Sequence, residues 1–234
     1  MEVKIWSDIR CPFCYIGKHT FEQALDHFEH KDKIQVSWHS FELDPQLKTD
    51  PHLNAIQSLA DKKGIPLHQV QQMMQAGAGK MAKEIGLTMD FNNTVVANSF
   101  NAHRLIQLAK TKNVADQMEE ALFEAHFKDS KNIDDKNTLR TLGKQVGLEE
   151  ADLDRTLFTD EFADKVEQDK RTAAQIGVQG VPFFVFNNKY AVSGAQSPEV
   201  FTEVLEKSWA EYAQEHQPLI INKGQACDID GNCD

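Results

Sequence analysis

The chain has 234 residues, 41% of them hydrophobic and 26% charged, enough to bury most of its apolar surface without covalent help. Lysine and arginine number 25 against 36 aspartates and glutamates, and the net charge of −11 repels phosphate backbones and anionic lipid, which speaks against nucleic-acid and membrane partners. The opening MEVKIWSD has neither the apolar core nor the cleavage site of a secretory leader, and no apolar run is long enough to span a bilayer, so a soluble, cytoplasmic protein is expected.

VKIWS (3–7) alternates and reads as a strand. CPFC follows, with Cys11 and Cys14 three apart, and YIGKHTFEQALDHFEH then sets Ile16, Phe21, Leu25 and Phe28 at helical spacing. KIQVSWHSFEL (33–43) alternates again, with Ile34, Val36, Trp38 and Phe41 as anchors. From Asp44 onward, apolar residues recur at helical spacing in HLNAIQSLADKKG, LHQVQQMMQAGAGKMAKEIG, TVVANSFNAHRLIQLAKTK and VADQMEEALFEAHFK. Beta-branched clusters are scarce and glycines sit near the helix ends, so 44–159 is expected to be an all-helical insertion of four or five helices. A helix over 160–177 leads into strands over 183–186 and 190–193, joined by a tight Asn-Asn turn. A last amphipathic helix has Ser197 as N-cap and Pro198 at its first position, and a polar tail, 216–234, closes the chain. Collapsing the insertion leaves β-α-β…α-β-β-α, the α/β thioredoxin arrangement, in a discontinuous domain of 1–43 and 160–215.

The cysteines are Cys11, Cys14, Cys227 and Cys233, with none between residues 15 and 226, so stapling of the core does not explain the first pair. Cys-x-x-Cys at the first strand-to-helix junction of a βαβ unit reads as a redox dithiol. Pro12 suits the first helical position, where unpaired amides and the positive dipole end favour a thiolate on Cys11. Cys14 returns to the same side of the helix as a buried resolving thiol, and Phe13 adds an apolar contact without positive charge. Zinc is the competing reading. It needs four ligands, with Cys227 and Cys233 as the second pair, and a proline-aromatic spacer at a helix start is not a zinc-knuckle context. No metal and no resident cofactor are therefore expected. Before the strand at 183, a cis Val181–Pro182 peptide is expected to leave the Val181 N–H and C=O free to pair with an extended substrate.

Weaker signals take structural readings. Asp8 reads as a turn residue satisfying backbone amides, with proton acceptance as the functional alternative. His103 and Arg104 read as a helix surface or a buried hydrogen-bonded pair, and Met73, Met74, Met81 and Met89 as core filling rather than a groove. DIDGN (228–232) lacks the spacing of a calcium loop. Cys227 and Cys233 are open to three readings: a local disulfide, a second redox pair exchanging with the first, or a loose metal clasp. The redox pair is slightly favoured.

SDIRCPFC (7–14), WHSFELDP (38–45), NSFNAHRL (98–105), LFEAHFKDSKNIDD (122–135) and GVPFFVFNNKYAVSGAQ (180–196) together resemble the DsbA-like thioredoxin-fold superfamily, and within it the FrnE-like thiol oxidoreductases. The resemblance implies disulfide exchange in which Cys11 attacks, Cys14 resolves, Pro182 shapes the groove, and Val181 and Phe13 touch substrate. Likeness to glutathione-using relatives places Gly194, Ala195 and Gln196 around the carboxylate or amine of a low-molecular-weight thiol co-substrate. Asn101, His103 and Arg104 resemble the family's interdomain motif. Kappa-type glutathione transferases and 2-hydroxychromene-2-carboxylate isomerases share the fold but typically carry serine where Cys11 stands. Phe13 departs from the tryptophan common in FrnE-like chains. The implied partners are thiol- or disulfide-containing proteins or small molecules, and a homodimer is compatible with the sequence. A glutathione-dependent transferase or isomerase and a zinc-binding or chaperone-like module are the alternatives.

Overall fold

The structure is a computed structural model and describes residues 1–216. Cys227, Cys233 and the DIDGN segment lie outside the described residues.

A four-stranded sheet carries the first and last parts of the chain, in the order β2-β1-β5-β6. β1 (Glu2–Ser7) runs parallel to β2 (Gln35–Ser40) and antiparallel to β5 (Phe183–Phe186), which pairs antiparallel with β6 (Tyr190–Ser193). The expected Asn-Asn turn joins β5 to β6, with Asn187 and Asn188 both at positive φ, 50° and 54°. Alternation along the strands sorts two faces. Val3, Ile5, Phe184 and Phe186 point to α1 (Pro12–His27) and α10 (Pro198–Glu215), where Phe21 and Phe201 meet the strand phenylalanines edge-on or tilted. Trp6, Phe183 and Val185 face the opposite way, onto Ala173 of α9 (Ala163–Gln175) and Val178 beyond its end. Pro198 opens α10 as expected, but the Ser197 side chain makes no capping hydrogen bond to the helix amides.

The segment between β2 and α9 is mostly helical. It holds α2 (Ala55–Lys63), α3 (Leu67–Met74), α4 (Lys80–Glu84), α5 (Phe100–Thr111), α6 (Ala115–Phe123), α7 (Lys136–Gln145) and α8 (Glu150–Phe158). A π turn at Gln75–Gly79 fuses α3 to α4, and a second at Glu124–Lys128 extends α6. That makes six helical rods rather than four or five. Residues 94–99, expected inside a helix, are not helical: Val95–Val96 forms β4, paired with β3 (Asp50–Asn54) in a two-stranded ribbon. The β-branched Thr94-Val95-Val96 run explains this, because it crowds a helix and suits an extended pair. The helix begins only at Phe100. Asn54 closes β3 and caps α2, its side chain accepting from the amides of Ile56 and Gln57. One buried core runs from the sheet into the helices, through residues such as Ile5, Phe21, Leu105, Leu122 and Leu153.

Asp169 of α9 joins these layers. Its carboxylate accepts from the Ser40 amide at 2.9 Å and the Gln107 amide side chain at 2.7 Å, and sits 2.7 Å from His39 Nδ1. His39 holds that carboxyl below its ordinary range despite burial. Among the described residues, no helix is long and apolar enough to cross a membrane.

Candidate active site

Cys11 is the N-cap of α1 and Pro12 its first residue, as the motif predicts. The Cys11 amide donates to the Asp8 carbonyl at 2.9 Å, closing the turn out of β1, and the amides of Cys14 and Tyr15 reach the Cys11 carbonyl at 3.0 and 3.4 Å. Both thiols are free; Cys11 is 5% exposed and Cys14 1%. Burial pushes the Cys14 thiol well up, as does the neighbouring Cys11, while the Asp8 backbone and the Ser7 hydroxyl draw it back.

The Val181–Pro182 peptide is cis, and the Cys11 thiol lies 3.5 Å from the Val181 carbonyl oxygen. The Gly194 amide donates to the Pro182 carbonyl at 2.8 Å, so the turn after β6 is tied to the proline. Gln196 bonds back to Ser193 O at 3.2 Å. Gly194, Ala195 and Gln196 are absent from the walls of the cavity that Cys11 lines.

That cavity holds about 600 Å³ between the start of α1 and the insertion. Cys11, Pro12 and Phe13 form one side, and Ile56, Leu59, Met74, Phe91, Val96 and Phe127 supply apolar wall. Phe13 is 37% exposed. Of the four methionines, Met74 alone lines the cavity; Met81 and Met89 pack on the core and Met73 is exposed.

Behind Cys14 lies a buried polar group that couples the insertion to the motif. Asp8 accepts the amides of Arg10 at 3.1 Å and Leu43 at 2.8 Å, which is the turn role expected of it. It also faces His103 of α5, whose Nε2 stands 3.6 Å from Asp8 Oδ1, long for a hydrogen bond and close enough for an ion pair. The two support each other's charge against burial: Asp8 is held below its ordinary value and His103 above its own. Glu119 of α6 completes the group; burial lifts its carboxyl to about 8, with His103 and Lys18 opposing. His126 of the second π turn is buried and pushed down to about 4, hence uncharged at neutrality. Arg104 does not pair with His103. Its guanidinium binds the carbonyls of Thr156, Thr159 and Glu161 and the Asn101 side chain, clamping the end of α8.

The family model of the DSBA-like thioredoxin domain matches residues 2–206. The chain belongs to the DsbA-like thioredoxin family. Among solved structures, this DsbA-like chain is similar to a probable DsbA oxidoreductase from Streptomyces coelicolor, at 37% identity and a TM-score of 0.85, covering 100% of this chain and 98% of that one. It shares its fold with the cytosolic disulfide reductase DsbM from Pseudomonas aeruginosa, at 14% identity, a TM-score of 0.65, and coverage of 90% and 100%. A 2-hydroxychromene-2-carboxylate isomerase has the same fold at 12% identity, a TM-score of 0.64, and coverage of 92% and 98%. The Bacillus subtilis protein YwbO is 28% identical over 208 residues, 88% of this chain and 96% of its own.

Two residues of this DsbA-like site escape sequence reasoning. A Cβ on Gly17 would stand 2.9 Å from Pro182 Cγ and 3.3 Å from Phe184 Cζ, so α1 lies against the proline with no room for a methyl group. A glycine inside a strong helix pattern was the available signal. Glu119 carried none, since only the fold distinguishes it from the less buried acids Asp116, Glu120 and Glu124 around it. His19, Glu22 and Glu120 also converge within 4.8 Å, but the Lys18 ammonium already sits 2.9 Å from Glu120 and bonds Glu22, so a cation already stands between the two carboxylates.

Proposed function

We propose that the chain is a thiol–disulfide oxidoreductase in which Cys11 attacks a substrate disulfide and Cys14 resolves the mixed disulfide. The carrying observation is the asymmetry of the pair: Cys11 caps the helix and lines an open cavity, whereas Cys14 is sealed one turn behind it. Burial keeps Cys14 a thiol until Cys11 is engaged, which favours one order of attack. Pro182 and the Val181 carbonyl border the reacting sulfur, and the Gly194 amide ties that loop in place through its hydrogen bond to the Pro182 carbonyl. A low-molecular-weight thiol serves as co-substrate, and a cytoplasmic setting fits a chain whose cysteines are confined to two close pairs.

Cys11→Ser is expected to abolish reduction of insulin disulfides by a small dithiol. Cys14→Ser should accumulate mixed disulfides with substrate, visible by mass spectrometry of non-reduced protein. Unimpaired reduction by Cys11→Ser would sink the mechanism.

A further inference from the structure

The cavity beside Cys11 carries a charge out of keeping with the rest of the molecule. Arg10, Lys62 and Lys63 line it against a single acid, Asp44, in a chain whose net charge is −11. Asp44 Oδ2 binds Lys62 Nζ at 2.6 Å, which leaves Arg10 and Lys63 without an ion-pair partner among the described residues. The Nη1 of Arg10 is buried with no hydrogen-bond partner among them. An unmatched buried guanidinium donor is costly in a soluble domain. Arg10 itself lines the cavity, most of whose remaining wall is apolar, and His126, being uncharged, adds no further positive charge there.

The space is closed on three sides by α2, by β4 with the Phe91 turn before it, and by the second π turn. About 600 Å³ is within the range of small-molecule pockets and equals roughly 20 water volumes. A disulfide inside it must be small, must bring apolar surface to Leu59, Phe91 and Phe127, and gains from a negative group near Arg10 and Lys63.

Resting on the oxidoreductase reading above, we propose that the substrate taken up here is a low-molecular-weight disulfide with an apolar body and a carboxylate, rather than a polypeptide. The Cys11 sulfur gives up its proton and attacks RS–SR; a Cys11–SR bond forms and RS⁻ leaves, taking a proton. The Cys14 sulfur then attacks Cys11, releasing the second RSH. The protein dithiol loses two electrons as the substrate becomes two thiols, and an excess small thiol restores the dithiol through its own oxidation to a disulfide.

The test uses reduced full-length protein in single turnover, with each rate divided by that of free dithiothreitol to remove intrinsic reactivity. The probes are 5,5′-dithiobis(2-nitrobenzoate), aromatic and anionic; 4,4′-dithiodipyridine, aromatic and neutral; hydroxyethyl disulfide, small and neutral; and insulin. The anionic aromatic probe is expected to lead the normalised rates by about tenfold or more. Lys62→Glu combined with Lys63→Glu should lower the anionic-to-neutral ratio of the aromatic probes about tenfold. Ala55→Trp, which fills the cavity, should lower the ratio of either aromatic probe to hydroxyethyl disulfide, whose own rate reports that the variant is folded. Equal normalised rates across the small probes, ratios untouched by these changes, or insulin as the leading substrate would overturn the proposal. Failure to reduce any of the four would instead overturn the oxidoreductase reading itself.

Discussion

Glu119 shows how much one buried side chain can control. Its folded carboxyl titrates near 8 against an ordinary 4.5, because burial outweighs the help of His103 and Lys18. A carboxyl raised on folding leaves stability intact below pH 4.5 and withdraws it as pH climbs towards 8, since the unfolded chain sheds the proton first. The slope across that window approaches about 1.4 kcal/mol per pH unit. Glu119→Gln keeps the shape of the neutral acid and is expected to flatten it. His126, lowered to about 4, contributes the opposite slope up to its ordinary 6.5, and His103, raised, adds loss above 6.5. The difference between wild type and variant in urea unfolding, taken across the window, isolates Glu119. Parallel curves would show that the carboxyl is ionised in the folded protein.

At the scale of elements, the contact of α1 with the strand entrance governs the site. Gly17→Ala gains about 1 kcal/mol of helix propensity but forces a methyl group onto Pro182 and Phe184. The expected outcome is a net loss of about 1 kcal/mol in urea unfolding together with slower single-turnover disulfide exchange, because the displaced loop carries the Val181 carbonyl beside Cys11. Unchanged exchange would separate the proline loop from the chemistry. The sheet and its first helix were legible because VKIWS, CPFC and FFVFNNKYAV each combine periodicity with a local signal: alternation, an N1 proline, a paired-asparagine turn. The ribbon of β3 and β4 was not, since β4 has two residues and depends on a partner some forty positions away. The π turns were equally hidden, because apolar spacing at 67–86 and 114–128 fits an unbroken helix nearly as well. Contacts such as Asp8 with His103 are set by packing across 95 positions of chain, which no local pattern records.

For the molecule as a whole, Asp169 fastens α9 to β2 and α5. Asp169→Ala strands the buried Ser40 amide and leaves the Gln107 side chain with only its bond to Ser40 Oγ, at a cost of about 3 kcal/mol. Because the Asp169 carboxyl is depressed, the stability it confers is present above its ordinary 3.8 and is lost as pH falls through the folded value. Urea unfolding should therefore show the deficit of the variant at neutral pH and its shrinkage in acid. A deficit independent of pH would assign the effect to packing alone. The same fastening lets the insertion furnish both the cavity wall and the His103 and Glu119 side chains behind Cys14 while standing outside the sheet.

The two π turns give the cavity a history that can be read from chain length. An i→i+5 turn holds one residue more than the α-helical turn it replaces, and one residue corresponds to about 100° of helix rotation. His126 and Phe127 owe their place in the wall to the extra residue at Glu124–Lys128, and Met74 stands at the edge of the other such turn. A relative shorter by a single residue at either point would turn a different set of side chains toward Cys11. Across the lineage, one-residue gaps at these two places are therefore expected to mark changes of substrate, where substitutions alone would look conservative.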